Sequence, residues 1–301
     1  MKILLLGKDG QVGWELQRAL APLGQLLALG RQEADFGNPE ALRAIVRDVQ
    51  PDVIVNAAAY TAVDKAESDA AMAQLVNGVA PGVLAEEAGA CGAWLVHYST
   101  DYVFDGSKDG AWTEADATNP LSVYGRSKLA GEEAIRASGA RHLILRTSWV
   151  FAPRGGNFAK TMLRLAKERE TLNVVADQYG APTGAELLAD ATALALHRIA
   201  ATENDAASLS GTYHLAASGA TNWHAYARHV IEQARSHGAS LKAGPEQVLP
   251  IAASAYPTPA TRPVNSRLDC SKFSNSFGLV LPDWRLHVNR LIAELADQGK
   301  L

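Results

Sequence analysis

The sequence predicts an α/β fold, a doubly wound parallel sheet carrying a smaller C-terminal substrate lobe. Three observations predict it. Short apolar runs rich in Leu, Val and Ile recur at 3–6, 26–29, 53–56, 94–99 and 143–146 without polar alternation, the signature of strands covered on both faces. The segments between them, 12–23, 39–49, 70–90 and 123–138, have a helical period and are long enough to serve as crossovers. The first apolar run leads straight into Gly7-Lys8-Asp9-Gly10-Gln11-Val12-Gly13, a turn suited to joining a first strand to a first helix in such a sheet.

Each element follows in order. Strand 3–6 ends in the glycine stretch, and helix 12–23 begins behind it with Trp14, Leu16 and Leu20 as its periodic residues. Strand 26–29 stops at Gly30-Arg31, and strand 53–56 opens into Asn56-Ala57-Ala58-Ala59. Strand 94–99 runs on through Ser99-Thr100-Asp101-Tyr102-Val103-Phe104. Helix 123–138 starts on Tyr124-Gly125-Arg126-Ser127-Lys128 and leads to strand 143–146. Beyond residue 150 the regularity weakens, although 161–170, 185–201, 223–236 and 284–296 read as helices. Proline-bearing turns at 180–184 and 255–259 interrupt them, and 202–210 reads as a surface loop. The expected division is a dinucleotide-binding domain over 1–150 and, over 151–301, mainly a substrate-binding lobe packed closely on the first and able to return segments to it.

Composition bounds the function. The 301 residues are 48% hydrophobic and 20% charged, with a formal net charge of -4, which places the chain among ordinary globular proteins. Mild acidity with no Lys/Arg block argues against a nucleic-acid partner, which needs a basic surface. No apolar stretch approaches the roughly 18 residues a membrane span requires, so no membrane partner is expected. Cys91 and Cys270 are the two cysteines and lack metal-ligand spacing, which argues against a disulfide framework and for a cytoplasmic chain. His224 and His229 lie five apart, off the spacing that would align two ligands on a helix.

The candidate chemistry gathers where strands end. Gly7, Gly10 and Gly13 allow a tight turn and close backbone approach, and the helix start behind them offers free amides to a diphosphate. The spacing is Gly-x-x-Gly-x-x-Gly rather than the usual dinucleotide fingerprint. At the second strand's tip an acidic residue would grip the ribose hydroxyls of NAD; Arg31 there suits a ribose phosphate and favours NADPH, with NADH as the alternative. Alternatively Arg31 is a solvated loop residue, and Glu33 or Asp35 supplies the contact. Asp35-Phe36 reads as the adenine side, with Phe36 equally able to pack. Tyr124 and Lys128, four apart, share a helix face, and a nearby cation is expected to lower a phenol's pKa from its ordinary value of about 10. Thr100 and Asp101 sit at a strand's carboxyl end, so they face the same crevice as the glycine loop, where Thr100 can donate to a carbonyl oxygen; alternatively Thr100 caps a turn.

Taken together, the glycine loop, Asn56-Ala57-Ala58-Ala59, Ser99-Thr100-Asp101 and the Tyr124/Lys128 pair resemble the extended short-chain dehydrogenase/reductases, which have a Rossmann-like fold. More narrowly, Ala59-Tyr60-Thr61-Ala62-Val63-Asp64-Lys65-Ala66-Glu67, Ser99 to Phe104, Arg146-Thr147-Ser148-Trp149-Val150 and Asp177-Gln178-Tyr179-Gly180-Ala181-Pro182-Thr183 resemble the dTDP-4-dehydrorhamnose reductase family. The resemblance spans nearly the whole chain. It implies NAD(P)H-dependent reduction of the C4 keto group of a dTDP-4-dehydro-6-deoxy sugar to dTDP-L-rhamnose, for cell-surface polysaccharide such as O-antigen.

The resemblance also implies site roles. Tyr124 is the proton donor, Lys128 its electrostatic partner and ribose anchor, and Thr100 the carbonyl-orienting hydroxyl. Gln11, Val12, Asp35, Phe36, Ala58, Ala59, Tyr60 and Thr61 line the cofactor, while Thr100, Asp101, Tyr124 and Trp149 touch the sugar nucleotide. Lys160, Arg262 and Arg267 are candidates for its diphosphate. Gly30 departs from family members that carry an acidic residue there. The family further implies Mg2+ at a subunit interface of a homodimer, with Glu15, Glu186 and Glu294 at the matching places. Two other functions stay open: a nucleotide-sugar epimerase or dehydratase of the same fold, although a dehydratase is expected to carry a second acid where Tyr102 follows Asp101, and a non-catalytic NADP-binding regulatory subunit.

Overall fold

The computed structural model describes residues 1–202 and 206–301. The elements are β1 (Lys2–Leu6), α1 (Gln11–Leu20), β2 (Gln25–Leu29), α2 (Pro39–Val49), β3 (Val53–Asn56), the short α3 (Val63–Ala66) and α4 (Ala70–Gln74), α5 (Ala80–Cys91), β4 (Trp94–Thr100), α6 (Val123–Ala137) and β5 (His142–Thr147). The second half adds β6 (Val150–Phe151), α7 (Phe158–Glu168), β7 (Leu172–Val175), β8 (Tyr179–Gly180), β9 (Thr183–Gly184), α8 (Ala185–Ala201), β10 (Gly211–His214), β11 (Thr221–Asn222), α9 (Trp223–Ser236), β12 (Val248–Ile251), α10 (Ser271–Phe277) and α11 (Trp284–Asp297). All five expected strands and the main helices are present, with no end moved by more than three residues.

The central sheet has the order β10-β5-β4-β3-β1-β2, and every pairing is parallel. Strand order reverses between β1 and β3, and beyond the carboxyl ends of such a pair a crevice opens. Every residue of β3 is buried, as are Ile3 to Leu6 of β1, because helices cover both faces. One face packs α2, α5 and α6 through Leu42, Val46, Leu84 and Ile135. The other packs α1 and α8 and continues without a break into α9 and α11 through Leu16, Leu188, Tyr226 and Leu291. The edge strand β10 comes from beyond residue 200, so the second half contributes to the sheet as well as to the lobe. Of the loop expected at 202–210, residues 203–205 lie outside the described residues, and Ala206–Leu209 form a single 3-10 turn.

One expected helix departs from regularity. The segment 70–90 reads as continuous, but Leu75–Val79 widen into a π turn between α4 and α5. Pro81 supplies the reason, since it has no N–H to donate to the Asn77 carbonyl four residues back, and its ring crowds that carbonyl. The displaced carbonyl then meets α6 at Gly131, where a Cβ would lie 2.1 Å from Asn77 O.

Candidate active site

The β1–α1 turn is shaped by backbone crowding. Gly7 has φ +88 and lies so close to β3's end that a Cβ would sit 2.7 Å from Ala58 N. Gly13, the third helical residue, packs against the turn so tightly that a Cβ would meet Gly7 O at 2.0 Å. Both positions therefore exclude side chains, and the cradle brings amides to the surface of a cleft of about 860 Å3. Gly7, Gly10, Gln11, Val12, Arg31, Asp35, Phe36, Ala58, Ala59, Tyr60, Thr61, Thr100, Asp101, Tyr124, Lys128 and Trp149 all line that cleft. Gly13 lies behind the lining as packing. A dinucleotide fits such a cradle, with amides for a diphosphate and Arg31 at the ribose end.

At that ribose end the structure separates the alternatives. The Glu33 carboxylate accepts from the Gly30 amide at 2.9 Å and pairs with Lys8 at 2.5 Å, and it does not line the cleft, whereas Arg31 and Asp35 do. Asp9, which the sequence reading passed over, places Oδ2 2.1 Å from where a Gly30 Cβ would stand. A carboxylate from the glycine loop thus fills the space left by the missing side chain at position 30.

The catalytic candidates are held by α6 and β4. Ser122 caps α6 by accepting from the Gly125 amide at 3.1 Å. Gly125 lets the helix start lie against the turn after β4, where a Cβ would be 2.3 Å from Tyr102 O. This brings Tyr124 beside Thr100 and edge-on to Tyr102, with centroids 5.8 Å apart. Burial pushes the Tyr124 phenol up to about 12, opposed by the adjoining Thr100 hydroxyl. The expected lowering is therefore not found, because desolvation of the phenolate and the Asp101 charge both raise it, while the Lys128 nitrogen is turned to Tyr98 O and His97. A phenol held up there stays protonated at neutral pH, the state a proton donor needs. Thr100 Oγ1 donates to Asp101 Oδ1 at 3.1 Å and accepts from the Tyr102 amide at 3.2 Å, so it caps the turn as well as facing the cleft. Burial raises Asp101 to about 7, opposed by the Ser266 and Thr100 hydroxyls.

Lys128 is buried, and desolvation lowers it to about 8. Its ammonium nitrogen donates to Tyr98 O at 2.6 Å and lies 3.2 Å from His97 Nε2. One turn on, Glu132 is fully buried and holds Arg146 through two hydrogen bonds of 2.9 and 2.6 Å, with Ser99 donating at 2.6 Å. That cluster locks α6 to β4 and β5 and so sets where Tyr124 and Lys128 project.

Residues that sequence reasoning missed are supporting ones. Asn77, on the π turn, accepts from Tyr60 N at 2.8 Å, donates to Tyr60 O at 3.0 Å and donates to Ser127 Oγ at 3.0 Å. It therefore ties the Ala59 to Thr61 lining to the helix of Tyr124. Trp223, at the start of α9, stacks on Trp149 at 3.6 Å and also lines the cleft. Trp149 has φ 48, an unusual conformation for a bulky residue, and it packs where a Gly180 Cβ would meet its ring at 2.7 Å. The proline in 180–184 signalled a turn, but nothing local pointed to this stack.

Other candidates lie elsewhere. Lys160 Nζ donates to Pro153 O and Gly155 O, Arg262 pairs with Asp64 at 2.8 Å, and Arg267 donates to Asn265 and Asp109 O; none of the three lines the cleft. Glu15, Glu186 and Glu294 line one small separate cavity with Arg18, His287 and Arg290. Arg290 bonds both oxygens of Glu186, and Arg18 lies 3.5 Å from Glu15. As the side chains stand, arginines hold Glu15 and Glu186, Glu294 accepts from Gln298 at 3.0 Å, and no metal-holding group of three or more His, Cys, Asp or Glu occurs among the described residues, so the three do not form a magnesium site. No helix among them is long and apolar enough to cross a membrane.

A glycine cradle at a strand-order reversal, with a Tyr/Lys helix pair and a threonine facing it, defines an oxidoreductase of the extended short-chain dehydrogenase/reductase class. The family model of the RmlD substrate binding domain matches residues 1–297. The chain is 58% identical over 299 residues to a dTDP-4-dehydrorhamnose reductase of Shigella flexneri and 57% identical over 299 residues to one of Escherichia coli K12, each match covering 98% of both chains. Among solved structures it is similar to the dTDP-4-dehydrorhamnose reductase of Bacillus anthracis in complex with NADP, with TM-score 0.86, 32% identity, and coverage of 98% of this chain and 100% of that one. The chain belongs to the dTDP-4-dehydrorhamnose reductase family.

Proposed function

We propose that the protein catalyses NADPH-dependent reduction of the C4 keto group of dTDP-4-dehydro-6-deoxy-L-mannose to dTDP-L-rhamnose, a precursor for cell-surface polysaccharide. The observation that carries this reading is the convergence of Thr100, Tyr124 and Lys128 on the cleft that holds the glycine cradle. Residues 1–150 supply all the lining but Trp223, which supports a division into a cofactor-binding part and a substrate lobe. When bound, NADPH supplies the hydride. Tyr124, protonated at neutral pH, gives its proton to the C4 oxygen as negative charge develops there. Thr100 turns its hydroxyl from Asp101 to that oxygen, and Lys128 as the ammonium stabilises the phenolate left behind. Arg31, which lines the cleft, would hold the ribose phosphate that distinguishes NADPH from NADH. The stacked Trp149 and Trp223 offer an apolar wall for the deoxy sugar. The free thiols of Cys91 and Cys270 support a reducing compartment such as the cytoplasm.

The test is oxidation of NADPH and of NADH in the presence of dTDP-4-dehydro-L-rhamnose, with the product identified by mass spectrometry. Formation of dTDP-rhamnose with NADPH favoured is the expected result. Cofactor binding without oxidation sinks the reading and favours the regulatory one. The homodimer implied by the family is checked by sedimentation, which is expected to return twice the chain mass.

A further inference from the structure

Lys128 has a neighbour to which the reductase mechanism gives no role. Its amine nitrogen lies 3.2 Å from Nε2 of His97, an imidazole with no exposed surface. The other side of that ring is constrained by β3. The Ala58 amide, which can only donate, gives its hydrogen to Asn56 Oδ1 at 3.0 Å, and this fixes which end of the Asn56 amide faces the histidine. Asn56 Nδ2 therefore points its hydrogens at His97 Nδ1, 3.0 Å away. An NH2 group has no lone pair to offer, so Nδ1 must be the bare, accepting nitrogen. In a neutral imidazole the proton then sits on Nε2 and points at Lys128. An ammonium cannot accept that hydrogen, whereas an amine can, and it still donates to Tyr98 O at 2.6 Å.

We propose that Asn56 and His97 are positioning residues that destabilise the ammonium form of Lys128 in the cofactor-free protein by fixing the Nε2–H tautomer of His97. Protonating Lys128 there either sets Nε2–H against N–H or forces the other tautomer, which sets Nδ1–H against the Asn56 amide. Both arrangements bury two facing donors. The entry of an anionic dinucleotide offsets this cost, so Lys128 holds its charge more firmly once the site fills. The elements packed around this pair carry other charged and titratable groups, of which Glu132 acts on Lys128 directly. On α6, Glu132 favours the ammonium but is held by Arg146 of β5, Arg136 and Ser99, while Tyr124 lies one turn before Lys128. From the turn after β4 comes Asp101, which burial raises to about 7, and from the π turn only the uncharged Asn77. The lowering of Lys128 by burial and of His97 by burial and the Lys128 charge runs in the same direction.

The inference concerns the cofactor-free protein and rests on the reductase reading only for its kinetic arm. Histidine-labelled protein without cofactor is examined by nitrogen NMR, where His97 is expected to carry its proton on Nε2 with Nδ1 bare. A proton on Nδ1 overturns the proposal whatever the enzyme's activity. In the kinetic arm, kcat/KM for NADPH is followed against pH, which reports groups of the free enzyme. Asn56→Asp accepts at both oxygens, reverses the His97 tautomer and presents a lone pair to Lys128. Its alkaline limb is expected to move up by about one pH unit or more, and His97→Gln, whose amide can turn its oxygen to Lys128, moves it the same way. Limbs unchanged in both variants, with NADPH binding retained, overturn the proposal. If Asn56→Asp fails to fold, the tautomer measurement on the unaltered protein still decides.

Discussion

At the residue scale, the hydroxyls and the amine of the site differ in what sets their protonation. Tyr124 is kept protonated by burial, which suits the part proposed for it, loss of that proton to substrate. Tyr124→Phe is expected to keep NADPH binding, followed by cofactor fluorescence, while kcat falls by about 10² or more. Lys128 is proposed to act as the ammonium and is lowered to about 8 in the cofactor-free protein. Turnover dependent on that charge is therefore present below this value and is lost as pH rises through it, giving kcat/KM for NADPH an alkaline limb near there. The part proposed for Arg31 is in cofactor choice. Arg31→Ala is expected to lower kcat/KM with NADPH several-fold and leave NADH nearly unchanged, read from the ratio of the two. The Tyr/Lys pair and Thr100 were legible because the chemistry of each is carried by one side chain at a fixed spacing. The raised phenol was not, because spacing brings a cation near but says nothing of how much water is removed.

At the element scale, α6 is the part whose placement matters, and three contacts fix it. Glu132 with Arg146 and Ser99 joins it to the sheet, Asn77 joins it to the lining loop, and Gly131 allows it to approach the π turn. Gly131→Ala puts a methyl against Asn77 O and is expected to cost about 1–3 kcal/mol, measured as a shift of the urea midpoint, with cofactor affinity weakened because the Tyr60 loop moves with Asn77. Burial opposes ionisation of Glu132, but its hydrogen bonds from Arg146, Ser99 and Arg136 outweigh that, and the carboxyl lies below its ordinary value of 4.5. A group with a depressed native pKa contributes stability that is fully present above its unfolded value and is lost as pH falls through the native one. Acid unfolding is accordingly expected to begin below pH 4.5, and Glu132→Gln to remove that component of the pH dependence. The strands and crossover helices were readable from period and apolar content. The π turn was not, since a proline inside a helical pattern marks a break but not the wider turn that Asn77 uses.

At the scale of the whole molecule, the cleft is completed by chain that is remote in sequence. Trp149 follows β5, Trp223 opens α9, and their rings stack at 3.6 Å over the mouth of a site otherwise built by the first half. Trp223→Ala is expected to leave NADPH binding intact and raise KM for the sugar nucleotide by roughly tenfold, since loss of a large half-buried aromatic contact is worth about 1–3 kcal/mol; an unchanged KM would show that the stack serves packing alone.

The sequence by itself determined the parallel sheet, the dinucleotide turn and the Thr/Tyr/Lys set, because each depends on local period, on backbone freedom at glycine or on side-chain identity at short spacing, and it pointed to the family through the resemblance of several linked segments. Only the tertiary structure decided that the sixth sheet strand comes from beyond residue 200, that Glu33 turns to Lys8 while Asp9 fills the space beside Gly30, and that Lys160, Arg262 and Arg267 stay out of the cleft. It also decided the hydrogen-bond directions around His97. These are matters of which distant groups meet and how much water they lose on meeting, and neither quantity is written in the order of residues along one element.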